Sequence, residues 1–427
     1  MRKISKISLV AAVAVAGFST ANAQPLEEAI KGVDVSGSVV YRYNNYDNSE
    51  AGNNHSNTDQ NNYKIGLNLS SKVNDYVKFN SRFIVGTKNT YDFTPTNAHK
   101  DRNGGDGSAD ISLSQAYFGF TAIPNTVVNI GKQGLTTPYT VAVDINGNEQ
   151  SGTGILALST FGPITAGAGY FNNTNVNLSG NGYIPTSSLA LDGGSDMYVA
   201  TVQGDLDFVK LEAWYAGMQN TFDSYTLAAT SKIDLAESAN LGLELRHVGL
   251  KLDQEYAKNA GIAYNEFNND ALERDNAMTR LSVDGKFSIV NARLAYTMTD
   301  KDGGLTALDQ DAKNTSLGWF ITSNGIADAD YFQAALGVDI LDNLNLTGHY
   351  GQLKADGSDK KTINNAVKFG TIGYDQELKQ KEYYGQLTYK MSKNLSTYLR
   401  YGQFEQKIDG DKNIDQNAGR IQVAYTF

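Results

Sequence analysis

A basic and briefly apolar start, a closing segment with an apolar residue at every second position, and connections that alternate between tight turns and long polar stretches predict one fold class. The class is all-β: a transmembrane, antiparallel up-and-down β-barrel of about eighteen strands, with sixteen as the alternative, carrying long external loops and short periplasmic turns.

Arg2, Lys3 and Lys6 lead into an apolar run from Ile7 to Phe18, far too short to span a bilayer, and Ala21-Asn22-Ala23 follows. This is the pattern of a cleaved secretory signal over residues 1–23, which leaves 24–427 as a single barrel domain starting at Gln24. Cleavage removes three basic residues and no acid, so 36 Lys and Arg become 33 against 46 Asp and Glu, or about −13 at pH 7. That balance argues against a nucleic-acid partner. The chain has no cysteine, so an exported protein of this size must hold together without disulfides. No later apolar run approaches the roughly 18 residues of a membrane helix. A mean hydropathy of −0.38, 42 Gly and 25 Tyr would also suit a soluble β-protein, so composition does not place the chain in a membrane.

Two-residue alternation predicts strands near 33–45, 61–72, 76–87, 111–122, 126–133, 153–160, 164–171, 196–204, 208–218, 225–234, 240–250, 277–287, 290–299, 331–340, 343–354, 379–391, 395–404 and 418–427. An even count puts both termini on the periplasmic side. Short turns such as Val73-Asn74-Asp75, Ile123-Pro124-Asn125, Leu341-Asp342 and Ser392-Lys393-Asn394 alternate with long polar segments, 46–60, 88–110, 172–195, 251–276, 300–330 and 355–378, read as external loops. On this map Pro25, Pro95, Pro124, Pro138, Pro163 and Pro185 all fall outside strands, as the missing N–H requires.

In the first strand Val35, Gly37, Val39, Tyr41 and Tyr43 share one face, and Ser36, Ser38, Arg42 and Asn44 the other. A polar inner face predicts a wet lumen, and therefore a water-filled channel for ions and small hydrophilic solutes. The last strand, Ile421 to Phe427, alternates in the same way, and its terminal Phe resembles the assembly signal of outer-membrane barrels. Outer-membrane lipid is the expected surrounding.

The segments Pro25-Leu26-Glu27-Glu28-Ala29-Ile30-Lys31, Val33-Asp34-Val35-Ser36-Gly37 and Tyr41-Arg42-Tyr43 resemble the opening of the Campylobacter-type major outer membrane porin family. Gly131-Lys132-Gln133, Gly152-Thr153-Gly154 and Asp300-Lys301-Asp302 resemble it too. The resemblance implies a homotrimeric, eighteen-stranded, mildly cation-selective porin whose third external loop folds into the barrel, with calcium bound near the constriction. The corresponding loop is 134–151, which departs from the family pattern at Pro138 and around Gly147 to Gln150.

Inward positions carry Arg42, Arg82, Arg246, Arg280, Arg293 and Arg400, with Glu212, Glu244 and Asp284 among them, and the infolded loop adds Asp144 and Glu149. Either a basic wall faces an acidic loop and sets a transverse field, or the arginines neutralise loop carboxylates and stiffen the wall. Asp144, Asn146 and Asn148 alternate as in the first part of a calcium loop, yet no Gly stands at the sixth position and no Glu closes the pattern, so the residues alone favour an ordinary Asn/Asp/Gly turn. The resemblance assigns Asp144 to calcium, with Asp309 and Asp311 in another external loop. The four histidines, His55, His99, His247 and His349, have no nearby catalytic signature, so no enzyme is expected. An adhesive or structural barrel and a substrate-specific channel are the alternatives.

Overall fold

The computed structural model describes residues 32–51, 54–96, 109–178, 193–258, 273–301, 303–356 and 376–427. The expected signal at 1–23, with Pro25 and Pro185, lies outside the described residues. The strands are β1 Val33–Ala51, β2 Asn54–Asn74, β3 Val77–Gly86, β4 Thr94–Thr96, β5 Asp110–Phe120, β6 Thr126–Gly134, β7 Ser151–Phe161, β8 Ile164–Thr174 and β9 Met197–Asp205. They continue as β10 Lys210–Met218, β11 Phe222–Ala236, β12 Ala239–Leu252, β13 Asp275–Phe287, β14 Val290–Thr299, β15 Ala329–Leu341, β16 Leu344–Ala355, β17 Leu378–Lys390, β18 Leu395–Ile408 and β19 Asp411–Thr426.

All pairings are antiparallel, and β1 pairs with β19 from Ser38↔Thr426 to Asn48↔Gln416, which closes the sheet. The short β4 is no separate position in the wall. β3 lies along β2 as far as Ile65↔Val85, and β4 takes over the same edge from Tyr63↔Thr94 to Asn61↔Thr96. The third stave is thus broken by residues 87–93, and the barrel has eighteen positions. Pro95 sits inside β4, contrary to the expectation that no proline falls in a strand. Its missing N–H is tolerated because, among the described residues, β4 pairs with β2 alone and its other edge carries no ladder.

One segment expected as a loop, and the unassigned stretch 405–417 between the last two predicted strands, are largely strand instead. The β1–β2 hairpin runs through most of 46–60, and β18 and β19 meet at Asp409-Gly410, both left-handed at φ 52° and 88°. Two successive positive φ values make the tight hairpin turn that matches strand twist. Apolar–polar alternation marks a strand where one face is buried or meets lipid; in these two hairpin tips most residues on both faces are polar, and the signal fades.

The outer face carries Val35, Val39, Tyr41, Leu294, Leu346 and Tyr401, all exposed. The inner face is less uniform than a simple wet tube. Along β12 the inward residues pass from Glu244 and Arg246 to Val248, Leu250 and Leu252, all three buried. The external halves of several strands are apolar inside because chain folded into the lumen covers them.

Closure reaches the last residue. The Gly37 N–H donates to the Phe427 carbonyl at 2.9 Å, the Phe427 N–H donates back at 3.1 Å, and the Phe427 ring stacks on Tyr425. Deleting Phe427 removes both bonds at the seam where each backbone group needs a partner. Outer-membrane levels of the heat-resistant folded form should fall several-fold while export continues; normal levels would show that the seam does not depend on this residue.

Candidate functional site

Residues 135–150, between β6 and β7, reach across the interior to β1, β2, β3 and β19. The Arg42 guanidinium donates to the Asn146 carbonyl at 3.0 Å and to Asn146 Oδ1 at 3.2 Å, and its Nε donates to Gln422 Oε1 at 2.9 Å. Lys64 Nζ donates to the carbonyls of Asp144 at 2.5 Å and Gly147 at 2.6 Å and to Glu149 Oε1 at 3.0 Å. Arg82 closes on the same carboxylate, with Nε 2.8 Å from Oε2 and Nη2 2.6 Å from Oε1. Lys64, Arg82 and Glu149 are all buried, Glu149 at 1 % exposure. Wall and loop are therefore in direct contact here and do not face one another across water. Lys64, absent from the sequence-derived candidates, is the centre of the latch.

The break in the third stave belongs to this assembly. The Glu149 N–H donates to the Thr90 carbonyl at 3.2 Å, Asn175 Nδ2 donates to the Glu149 carbonyl at 2.9 Å, and the Phe93 ring lies 4.2 Å under the Arg42 guanidinium.

A second segment, 303–328 between β14 and β15, also lies inside, which corrects the reading of 300–330 as an external loop. Its Leu305 and Leu308 pack with Tyr139, Phe171 and Met197, while Trp319, Phe320, Ile321 and Ile326 pack with Tyr331, Leu353 and Phe404. The overall polarity of the segment concealed the run Leu317-Gly318-Trp319-Phe320-Ile321, which is too apolar for an exposed loop. Arg280, in a 2.7 Å ion pair with Glu244, donates to the carbonyls of Lys313 and Thr315, and Arg246 reaches Asn314 Oδ1 at 3.4 Å. Glu212 lies 3.7 Å from both Arg246 and Lys313. On the far wall the buried Glu382 carboxylate accepts the N–H groups of Trp319 at 3.0 Å and Phe320 at 2.7 Å. A Cβ at Gly318 would collide with this carboxylate, so the turn requires glycine there. The two infolded segments also join each other: Asn148 Nδ2 donates to Asp309 Oδ2 at 3.1 Å and Gln150 Nε2 to the Leu308 carbonyl at 2.9 Å.

Between them and the wall lies an open cavity of about 700 Å³, lined by Arg42, Arg400 and Arg420 and by Asp92 and Asp311. Arg400 lies over Trp319 and Tyr384, held by Gln386, and Arg420 donates to Asn44 Oδ1 at 2.6 Å. None of the three arginines has an ion-pair partner among the described residues. Arg293 pairs with Asp284 at 3.1 Å near the periplasmic end, away from this narrowing. His349 stacks on Tyr384 inside the barrel, and His247 shares the outer face with Tyr225.

Asp144 and Asp311 come together from the two infolded segments. Burial and the facing Asp311 push the Asp144 carboxyl up to about 7, and burial with the nearby Asp309 raises Asp311 as well. Asp144 Oδ2 is buried without a hydrogen-bond partner. Two crowded carboxylates with an unsatisfied oxygen fit a hard divalent cation. The centre of the 144–149 turn does not, because the Lys64 ammonium already takes its carbonyls.

The buried carboxylates define how the lumen is narrowed. Glu149→Gln leaves Lys64 and Arg82 buried without their counter-charge, at a cost of about 3–5 kcal/mol. It should lower the temperature at which the barrel loses its heat-resistant mobility and raise single-channel conductance. Glu382→Gln should free the second segment, with the same sign of effect on conductance. Unchanged conductance in both variants would mean that neither anchor holds the narrowing.

Among curated proteins, none matches the chain. Solved structures share its fold: OccK8 (OprE) of Pseudomonas aeruginosa at 16 % identity and TM-score 0.67, covering 93 % of this chain and 98 % of that one. The outer membrane protein OprD of the same species is similar at 17 % identity and TM-score 0.64, covering 92 % and 93 %. OccAB3 of Acinetobacter baumannii is similar at 13 % and 0.66, covering 92 % and 99 %. The family model described as Campylobacter major outer membrane protein matches residues 1–427, so the chain belongs to that family and is a protein of the bacterial outer membrane.

Proposed function

We propose that the protein is a general diffusion channel that passes ions and small hydrophilic solutes across the outer membrane, with a mild preference for cations, and is neither an enzyme nor an adhesive barrel. The observation that carries this reading is the open cavity between the infolded segments and the wall, lined by Arg42, Arg400 and Arg420 from strands β1, β18 and β19 and by Asp92 and Asp311 from segments between strands. Separated opposite charges in a narrow, water-filled passage make a transverse field, which admits polar solutes and slows apolar ones. Arg42, Arg400, Asp92 and Asp311 would line the narrowest part, while Arg82, Glu149, Glu212, Arg246 and Arg280 would set its shape by anchoring the segments. Arg293 would act at the periplasmic mouth. A mature net charge of about −13 and the acids of both segments support the cation preference. The homotrimer implied by the family remains part of this proposal.

A second reading has its own support: Arg400 and Arg420, which have no ion-pair partner among the described residues, lie over the Trp319 ring and suit a channel that favours solutes bearing a carboxylate. Reversal potential in a salt gradient separates the two. Asp92→Asn with Asp311→Asn should move it toward anions, and Arg400→Gln with Arg420→Gln toward cations; a wild-type preference for anions would favour the second reading over the first.

Calcium would be held by Asp144 and Asp311, with Asp309 beside them, and would tie the two infolded segments together by neutralising their mutual repulsion. A chelator should then lower the thermal midpoint of the wild-type protein by a few degrees. Asp144→Asn should abolish that difference; an equal response in the variant would place the calcium effect elsewhere.

A further inference from the structure

The outer surface of the barrel carries a second charged feature, unconnected with the lumen. The pairings Lys354↔Lys379, Lys379↔Lys407 and Lys407↔Lys412 put four lysines at one level across β16, β17, β18 and β19. Lys381 stands two residues along β17, opposite Gln352 and Glu405. These side chains share the outer face with Tyr350, Tyr383 and Tyr401, which lie nearer the bilayer centre on the same strands. The level is external, because β18 and β19 meet just above it at Asp409-Gly410 while the short turns lie at the other end.

Like charges directly opposite one another weaken a sheet, and here three successive pairings are Lys–Lys. Carboxylates offset part of the row. Glu377 pairs with Lys379 at 2.6 Å, Glu405 with Lys407 at 3.3 Å and Lys412 at 2.8 Å, and Asp415 with Lys412 at 2.9 Å. Asp330 stands opposite Lys354, but its Oδ1 accepts the Tyr296 hydroxyl at 2.6 Å. Among the described residues neither Lys354 nor Lys381 has an ion-pair partner; Lys381 lies only 5.9 Å over the Tyr350 ring. Lysines stacked just outside a tyrosine belt stand at the level of lipid headgroups.

We propose that this outward row is a binding site for the phosphate groups of a lipid in the external leaflet, with Lys354, Lys379 and Lys381 as its principal contacts and the tyrosines below packing on the acyl chains. A multivalent phosphate would supply the counter-charge that the sheet lacks. The lysines lie outside the lumen, so conduction does not depend on them.

The test uses the full mature protein in a neutral detergent, titrated with bisphosphorylated lipid A, with the same lipid after removal of its phosphates, and with inorganic phosphate. The wild type should bind lipid A in a salt-sensitive manner, and the triple variant Lys354→Gln, Lys379→Gln, Lys381→Gln should bind about 100-fold more weakly with unchanged channel conductance. The corresponding triple replacement by Arg should retain binding. Should the triple Gln variant fail to fold, Lys381→Glu alone should give a loss of about tenfold or more. Equal binding by the Gln and wild-type proteins, or of the phosphate-free lipid, would overturn the proposal. Inorganic phosphate binding as tightly as lipid A would assign the row to a soluble anion and reject the lipid.

Discussion

Within a bilayer the backbone of a strand can find partners only on neighbouring strands, so a sheet that spans it must close on itself. The β1–β19 seam meets that requirement, and much of the architecture follows from it. Closure through an antiparallel seam takes an even number of staves, collects the short turns at one end, and forces successive side chains alternately toward lipid and toward the interior. It also leaves a tube whose inside must be filled with water or covered with chain. Both occur here, and the boundary between them divides a polar inner wall from an apolar one.

The covering chain is held chiefly by buried carboxylates. Glu149 is satisfied by the cations of Lys64 and Arg82, whereas Glu382 is satisfied by the backbone N–H groups of the Trp319–Phe320 turn. Burying charge is costly unless every oxygen is matched, and such an anchor tolerates only one placement of the segment it holds. Apolar packing of Leu305, Leu308, Trp319 and Phe320 supplies the area; the carboxylates supply the position. The broken third stave contributes backbone acceptors to the same structure, so a defect in the wall becomes part of the internal framework.

Charges left over after this anchoring are the ones available to solutes. Lys64 and Arg82 share Glu149, and Arg246 and Arg280 share Glu244, while Arg42, Arg400 and Arg420 form no ion pair among the described residues, are held by amides and rings, and line the cavity. Arg42 does both, holding Asn146 of the infolded segment while lining the cavity. On the outside, the lysine row across β16 to β19 repeats the pattern of charge in excess of its partners, directed there at the lipid.

Alternation, turn residues and the closing aromatic strand determine the barrel from sequence, because a strand between lipid and water imprints a two-residue period on its side chains. That period also placed Arg42, Arg82, Arg246, Arg280, Arg293 and Arg400 on the inner face. It fades where both faces are polar, which is why the β1–β2 and β18–β19 hairpins run further than the pattern indicates. Tertiary structure alone decided that 303–328 turns inward, that Lys64 joins Arg82 on Glu149, and that Asp144 meets Asp311. Lys64 and Arg82 lie 85 and 67 positions from Glu149, and Trp319 lies 63 from Glu382, and local composition carries no record of which distant wall a loop will find.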